Sequence, residues 1–206
     1  MKKVWNAEEK LQYERALLQK GYTWIAGVDE VGRGPLAGPV VCAAVIMPLD
    51  EDNLVVGVDD SKKLSEKKRV QLAEEIKQKA LCYSIVEIDE KTIDEINILE
   101  ATKLGMKRAI ESLQHIPGAV LTDGNMYIDV EIPQKSVIHG DALSYSIGAA
   151  SIIAKVYRDS LMDEYAKTYP QYGFEKNKGY GTAVHIQGIK ENGLCPIHRR
   201  TFTKKF

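Results

Sequence analysis

Residues 22–47, YTWIAGVDEVGRGPLAGPVVCAAVIM, hold two apolar runs separated by backbone punctuated with glycine and proline. The first run, Tyr22 to Asp29, is rich in Ile, Val and aromatic residues, which suit the pleated surface of a strand. The second, Val40 to Met47, is apolar throughout, and a short unbroken run of this kind reads as a strand buried in a core. Gly32, Gly34, Pro35, Gly38 and Pro39 end the one and begin the other. Asp29 and Glu30 therefore fall where an apolar strand gives way to glycine-rich backbone, at the rim of a core rather than on an open surface.

Outward from this pair, helix and strand signals alternate. Asn6 followed by Glu9 resembles a capping box that opens a helix to about Lys20, with Leu11, Leu17 and Leu18 facing inward. Ser65 can cap a helix to about Ala80, with Val70, Ala73, Ile76 and Ala80 on one face. Leu81 to Ile88 reads as a strand. Asn97 to His115 reads as a helix, since Ile98, Ala101, Gly105, Met106, Ala109 and Leu113 recur at helical spacing. Ala119 to Thr122 is a short apolar strand that stops at the turn signal Asp123-Gly124-Asn125. From Ala142 to Ala154 there are thirteen uncharged residues, many of them small. Such a segment predicts a helix that is apolar on all sides and lies close against a sheet, with an amphipathic continuation from Lys155 to Lys167. This order predicts an α/β fold with a central mixed sheet flanked by helices.

Composition narrows the function. The 206 residues are 44% hydrophobic and 28% charged, as in an ordinary globular protein. The start, Met1 to Glu9, has basic residues but no apolar run after them, and no stretch is long enough to span a membrane. Three widely spaced cysteines, Cys42, Cys82 and Cys195, argue against a disulfide framework or a thiolate zinc site. A cytoplasmic protein is expected. The net charge of −1 is unevenly spread, for residues 171–206 hold seven Lys/Arg against two Glu. A basic end on an acidic body suits phosphate binding beside a carboxylate cluster.

Four carboxylates sit at element ends: Asp29 and Glu30 after the first strand, Asp123 after another, and Asp141 at the mouth of the small-residue helix. Any one alone is an ordinary turn-former or helix cap. Gathered together they would repel, and cations would keep them ionised. Oxygen-only donors select Mg2+ or Mn2+, where zinc would want His or Cys. Two such ions about 4 Å apart can activate water and stabilise a departing oxygen in phosphoryl displacement. The arrangement carries a condition: neighbouring strand residues point to opposite faces, so Asp29 and Glu30 share a site only if the strand ends, twists or bulges there.

Several blocks, in order, resemble the signature of the ribonuclease HII family: Val28 to Val41, Asp60-Ser61-Lys62-Lys63-Leu64, Asp123-Gly124-Asn125, Gly140-Asp141 with Ser146 to Val156 and Arg158-Asp159, Asn177 to Thr182, and Cys195 to Arg200. They cover residues 22 to 202. The resemblance implies a ribonuclease H-like fold with a helical C-terminal region. It also implies one catalytic domain over 1–206, with a core at 22–170 and a basic substrate-binding region at 171–206. By similarity, Asp29, Glu30, Asp123 and Asp141 are the catalytic residues and hold two Mg2+ or Mn2+ ions. Gly32, Arg33 and Gly34 match the loop that contacts the ribose 2′-hydroxyl through its backbone, and Tyr180 matches the tyrosine that packs on the next sugar. Lys62 and Lys63 are implied phosphate contacts, with Lys178, Arg199 and Arg200 adding to that surface. None of the four histidines has metal-site spacing, and Asp159 reads as an ion-pair partner.

The implied partner is an RNA/DNA hybrid or duplex DNA with embedded ribonucleotides, cut on the 5′ side of a ribonucleotide to leave 3′-hydroxyl and 5′-phosphate ends, by a monomer. His139 stands where the family often has lysine, and Gly148 where alanine is frequent. Only about 20 residues precede the first strand, whereas many relatives carry a further N-terminal segment that helps to hold substrate. The sister family, ribonuclease HIII, typically has lysine at the position of Arg33. A nucleic-acid-binding relative without activity would be expected to lack some of the carboxylates, and an ATPase would need a glycine-rich loop ending in Lys-Ser or Lys-Thr.

Overall fold

The computed structural model describes residues 5–206. Five strands form one mixed sheet in the order β3-β2-β1-β4-β5. They are β1 (Ile25–Val31), β2 (Val40–Ile46), β3 (Cys82–Ile88), β4 (Ala119–Asp123) and β5 (Gln134–Val137). β1 to β3 run antiparallel as a meander, with Asp29 opposite Ala43 and Glu30 opposite Cys42. β4 and β5 then join the other edge of β1 in parallel.

The helices are α1 (Ala7–Lys10), α2 (Gln12–Leu18), α3 (Glu66–Lys79), α4 (Glu90–Glu111), α5 (Gly140–Leu143), α6 (Tyr145–Thr168), α7 (Phe174–Asn177) and α8 (Ala183–Asn192). The period-2 alternation of β2 divides them between layers. Val41, Ala43 and Val45 pack with Leu72, Ala73 and Ile76 of α3 and with Ala150 and Ile153 of α6. Cys42, Ala44 and Ile46 pack on the other face with Met106, Ala109 and Ile110 of α4. Each fully buried Val, Ile or Met contributes about 1.5–3 kcal/mol relative to exposure.

Every residue of α6 from Tyr145 to Ala154 is buried, as the small-residue segment predicts. Its first turn crosses β1 at Gly27, where a Cβ would stand 2.1 Å from the Ser146 carbonyl carbon. No side chain fits there, so the helix rests directly on the strand.

Several boundaries differ from the expectation. Asn6 caps the first helix by accepting from the N–H groups of Glu8 and Glu9, but the helix breaks at Leu11. Leu11 and Leu17 are buried, whereas Leu18 is exposed. In α3 the inward face is Leu72, Ala73 and Ile76, and Val70 faces solvent. α4 begins at Glu90 under an Asp89 cap, and Asn97 marks a kink within it at φ 66°. There the Asn97 side chain accepts from the N–H groups of Leu99 and Glu100, so it caps the second segment. Ser144 divides the predicted small-residue helix into α5 and α6 and caps the latter. The edge strand β5 has no apolar alternation, and only Val137 in it is buried. Among the described residues, no helix is long and apolar enough to cross a membrane.

Candidate active site

β1 and β4 are parallel neighbours, so both carry their C-terminal acids to the same end of the sheet. Asp29, Glu30 and Asp123 line one cavity of about 190 Å3 with Val31. Asp29 lies almost fully buried, and its Oδ1 accepts from the N–H of Glu30 at 2.7 Å. β1 runs on through Val31, and both adjacent acids nevertheless reach that cavity at the strand's end. Asp123 Oδ1 accepts from the N–H of Gly140 at 2.6 Å, which ties the end of β4 to the turn that carries Asp141. Asp141 itself is not on the cavity wall. It stands beside it, 4.0 Å from the Lys62 ammonium. Among the described residues, no three His, Cys, Asp or Glu side chains already stand arranged to hold one ion.

Electrostatics show the strain of this gathering. Burial pushes the Asp29 carboxyl well above its usual range, and the charges of Glu30 and Asp123 push it further. Glu30 is raised by burial, against the opposing pull of Arg33, whose Nη1 is 3.5 Å from Oε1. Its Oε2 is buried without a hydrogen-bond partner among the described residues. Asp141 is raised by burial and by its neighbours Asp123 and Asp60, with Lys62 opposing. Burial alone would lower the Lys62 ammonium, but Asp141, Asp29, Asp60 and Asp123 together outweigh it and raise it. That lysine therefore lies within the field of three of the four acids named from sequence. An orphaned buried carboxylate oxygen and an oxygen-only donor set fit a hard divalent cation.

Three lining residues escaped the sequence reading as site residues. Ser151 of α6 donates to Ser61 at 3.0 Å, and both border the acids. Lys155, one turn further along α6, also lines the cavity and pairs with Asp159 at 2.6 Å. The i, i+4 spacing of Ser151 and Lys155 on the sheet-facing helix was the available signal. Asp159 is the ion-pair partner expected, with Arg69 3.9 Å away as well.

The other candidates divide. Tyr180 lines the cavity, half-exposed, and a Cβ on Gly34 would stand 3.6 Å from its ring. Arg33 and Gly34 are exposed, while Gly32 is buried at φ 92°. Lys62 belongs to the site, but Lys63 points elsewhere, toward Asp60 at 3.4 Å. Lys178 is taken up by an ion pair with Asp163. Arg200 is exposed.

Arg199 corrects the reading most sharply, because it is fully buried and cannot touch a phosphate at the surface. Its guanidinium donates to the carbonyls of Gly32, Arg33 and Gly38. Arg158, equally buried, donates to those of Ala37, Pro39 and Lys178. Burial lowers both, to about 9 for Arg199 and about 10 for Arg158, so both remain charged at neutral pH.

Behind Tyr180 lie two buried histidines. His198 Nδ1 accepts from the Cys195 N–H at 2.9 Å, which leaves its Nε2–H to meet His185 Nε2 at 3.0 Å. His185 Nδ1–H then donates to the Tyr180 carbonyl at 2.9 Å. Both rings are neutral in this chain of bonds: burial pushes His185 down, and burial, with the repulsion a protonated His185 would exert, pushes His198 down to about 4.

The sequence model described as Ribonuclease HII matches residues 26–205. The ribonuclease HII of Ligilactobacillus salivarius is 56% identical over 95% of this chain and 75% of its own length. That of Caldicellulosiruptor saccharolyticus is 54% identical over 96% of this chain and 95% of its own. Among solved structures, the ribonuclease H2 of Pyrococcus horikoshii superposes with a TM-score of 0.73 at 28% identity. That match covers 87% of this chain and 93% of the archaeal one.

Proposed function

This chain belongs to the ribonuclease HII family and is a ribonuclease H-type endonuclease, and from that premise we propose that it cuts duplexes on the 5′ side of a ribonucleotide, single embedded ones included. The observation that carries the reading is the convergence of Asp29, Glu30 and Asp123 on one cavity, with Asp141 alongside and Tyr180 across it. Residues 171–206 are its substrate-binding region, within one catalytic domain spanning 1–206.

Asp29, Glu30, Asp123 and Asp141 would hold two Mg2+ or Mn2+ ions. When bound, such ions supply Lewis acidity and a water of lowered pKa for in-line displacement at phosphorus. The chain's own groups do the rest. Lys62 and Lys155 place two ammonium groups beside the acids, where they offset charge and draw in a phosphate. Gly32 to Gly34 bring bare backbone close to the sugar, and the 2′-hydroxyl is what separates ribose from deoxyribose there. The Tyr180 ring offers its face to the following sugar. Cleavage on this scheme leaves 3′-hydroxyl and 5′-phosphate ends.

The test is cleavage of a duplex containing one ribonucleotide, with Mg2+ or Mn2+ and with the cut mapped. A single cut on the 5′ side of the ribonucleotide is expected. Cleavage confined to longer ribonucleotide tracts would point to the sister ribonuclease HIII specificity instead. Gly34→Ala tests the sugar-reading loop by itself, for the new methyl meets nothing closer than the Tyr180 ring at 3.6 Å yet narrows the approach to the backbone.

A further inference from the structure

Among the described residues, Arg158 and Arg199 are the largest fully buried side chains, and neither forms an ion pair. Burying an unpaired cation costs several kcal/mol, so the fold needs a return from it. Together they donate to six carbonyls, those of Gly32, Arg33, Ala37, Gly38, Pro39 and Lys178. Those carbonyls belong to the two segments that flank the candidate sugar-binding face. Arg199 also packs over the Phe202 ring, its guanidinium carbon 5.2 Å from the centroid, which holds the fork in place.

The consequence follows from the peptide plane. In a trans peptide the C=O of one residue and the N–H of the next point in opposite directions, and this chain has no cis bonds among the described residues. Arg199 draws the carbonyls of Gly32 and Arg33 inward, at 2.5 and 2.9 Å. The N–H groups of Arg33 and Gly34 are thereby turned outward. Both residues are exposed, and among the described residues neither N–H has a backbone acceptor in the loop. Meanwhile Arg158 fastens the Lys178 carbonyl, two residues before Tyr180, to the carbonyls of Ala37 and Pro39 in the same loop.

We infer that Arg199 is the positioning residue that aims the Arg33 and Gly34 amides at the ribose 2′-oxygen, and that Arg158 locks the Tyr180 segment to that loop so that both sugar contacts keep one spacing. The buried charge behind the loop polarises these two donors toward an oxygen lone pair. This rests on the reading of Gly32 to Gly34 as the sugar contact. The sequence pattern hides it, because an arginine in a basic tail looks like a phosphate ligand.

Arg199→Lys keeps the charge and loses the planar fork, so it separates aiming from simple electrostatics. On a duplex with one ribonucleotide, kcat/KM should fall about a hundredfold, the cost of misplacing a reactive contact by about an ångström. Binding to an all-DNA duplex of the same length should stay within about threefold, because the phosphate contacts are elsewhere. A variant that keeps near-native kcat/KM on the ribonucleotide duplex overturns the inference, as does one that loses all-DNA binding in proportion. Gly34→Ala distinguishes the two levels. If it too cuts at the native rate, the loop is not the sugar contact and the underlying reading is wrong. If it is impaired while Arg199→Lys is not, only the role of Arg199 falls. Should Arg199→Lys fail to fold, hydrogen exchange on the wild-type protein decides. Without added metal, the Arg33 and Gly34 amides should exchange fast in the free protein. They should slow on adding the one-ribonucleotide duplex but not the all-DNA duplex, while the Arg199 Nε–H stays protected throughout. Equal protection by both duplexes, or an unprotected Arg199 Nε–H, contradicts it.

Discussion

At the scale of single residues, the acids at the end of β1 and β4 trade stability for chemistry. Burial and the fields of Glu30 and Asp123 oppose the ionisation of Asp29. Its raised carboxyl means that the folded state holds this proton more tightly than the unfolded chain does. Stability therefore falls as pH rises through the unfolded value near 3.8 toward the higher folded one. Removing the charge should relieve that. Asp29→Asn is expected to raise the metal-free unfolding midpoint by a few degrees, equivalent to about 1 kcal/mol, while cleavage is lost. Calorimetry with chelator present checks it, and a lowered midpoint would mean that Asp29 serves the fold. Asp123→Asn should cut turnover about a thousandfold without altering the far-ultraviolet dichroism, because a ligand charge goes and the shape stays.

The buried pair His185 and His198 works with the opposite sign. Both are pushed below the usual value of 6.5, His198 to about 4. Their stabilising contribution is fully present above pH 6.5 and is lost as pH falls toward 4. Urea unfolding should show about 2 kcal/mol of stability disappearing across that window, and His198→Asn should flatten the profile. An unchanged slope in the variant would assign the loss to other groups. Protonation of His185 at Nε2 keeps its Nδ1–H bond to the Tyr180 carbonyl and removes the acceptor that His198 Nε2–H uses.

At the scale of elements, the decisive contact is α6 on β1. Gly27→Ala places a methyl 2.1 Å from the Ser146 carbonyl carbon, against backbone that cannot yield. Overpacking of this kind costs about 3 kcal/mol or more, so the variant should be insoluble or markedly destabilised by urea titration. The same helix shows why the sequence was legible where it was. The uncharged run points to burial, which holds from Ser144 onward while Leu143 is exposed, and the apolar run at 40–47 reads as a core strand. Four acids at element ends were visible for a related reason, since a charge beside glycine at the end of an apolar run is conspicuous. What stayed hidden depends on three-dimensional neighbours. β5 takes its register from β4 rather than from any pattern of its own. Ser61 and Ser151 meet across 90 residues. Val70 and Leu18 are apolar yet outward-facing, because the packing partner decides which residues of an amphipathic stripe are covered. Arg199 was misread because sequence records its charge and not its depth.

At the scale of the whole molecule, chain segments from both ends meet around the acids. The N-terminal helices reach the turn of Asp141: Lys10 donates to the Ala142 carbonyl at 2.6 Å, and buried Glu14 accepts from the Ser144 hydroxyl and the Ser146 N–H. The C-terminal segment returns to the loop after β1, with Ala37 bridged to His198 and Arg199 beneath it. Glu14→Gln should therefore disturb Asp141 from a distance, lowering kcat about tenfold with little change in KM. An unaffected kcat would show that α2 is mere covering. Whether the separated acids form one cation site is decided by titration calorimetry of Mn2+ into the protein, with and without Asp123→Asn. Saturable binding by the native protein, weakened at least tenfold by the substitution, is expected. Equal Mn2+ affinity in both proteins would show that Asp123 shares no ion with the other acids.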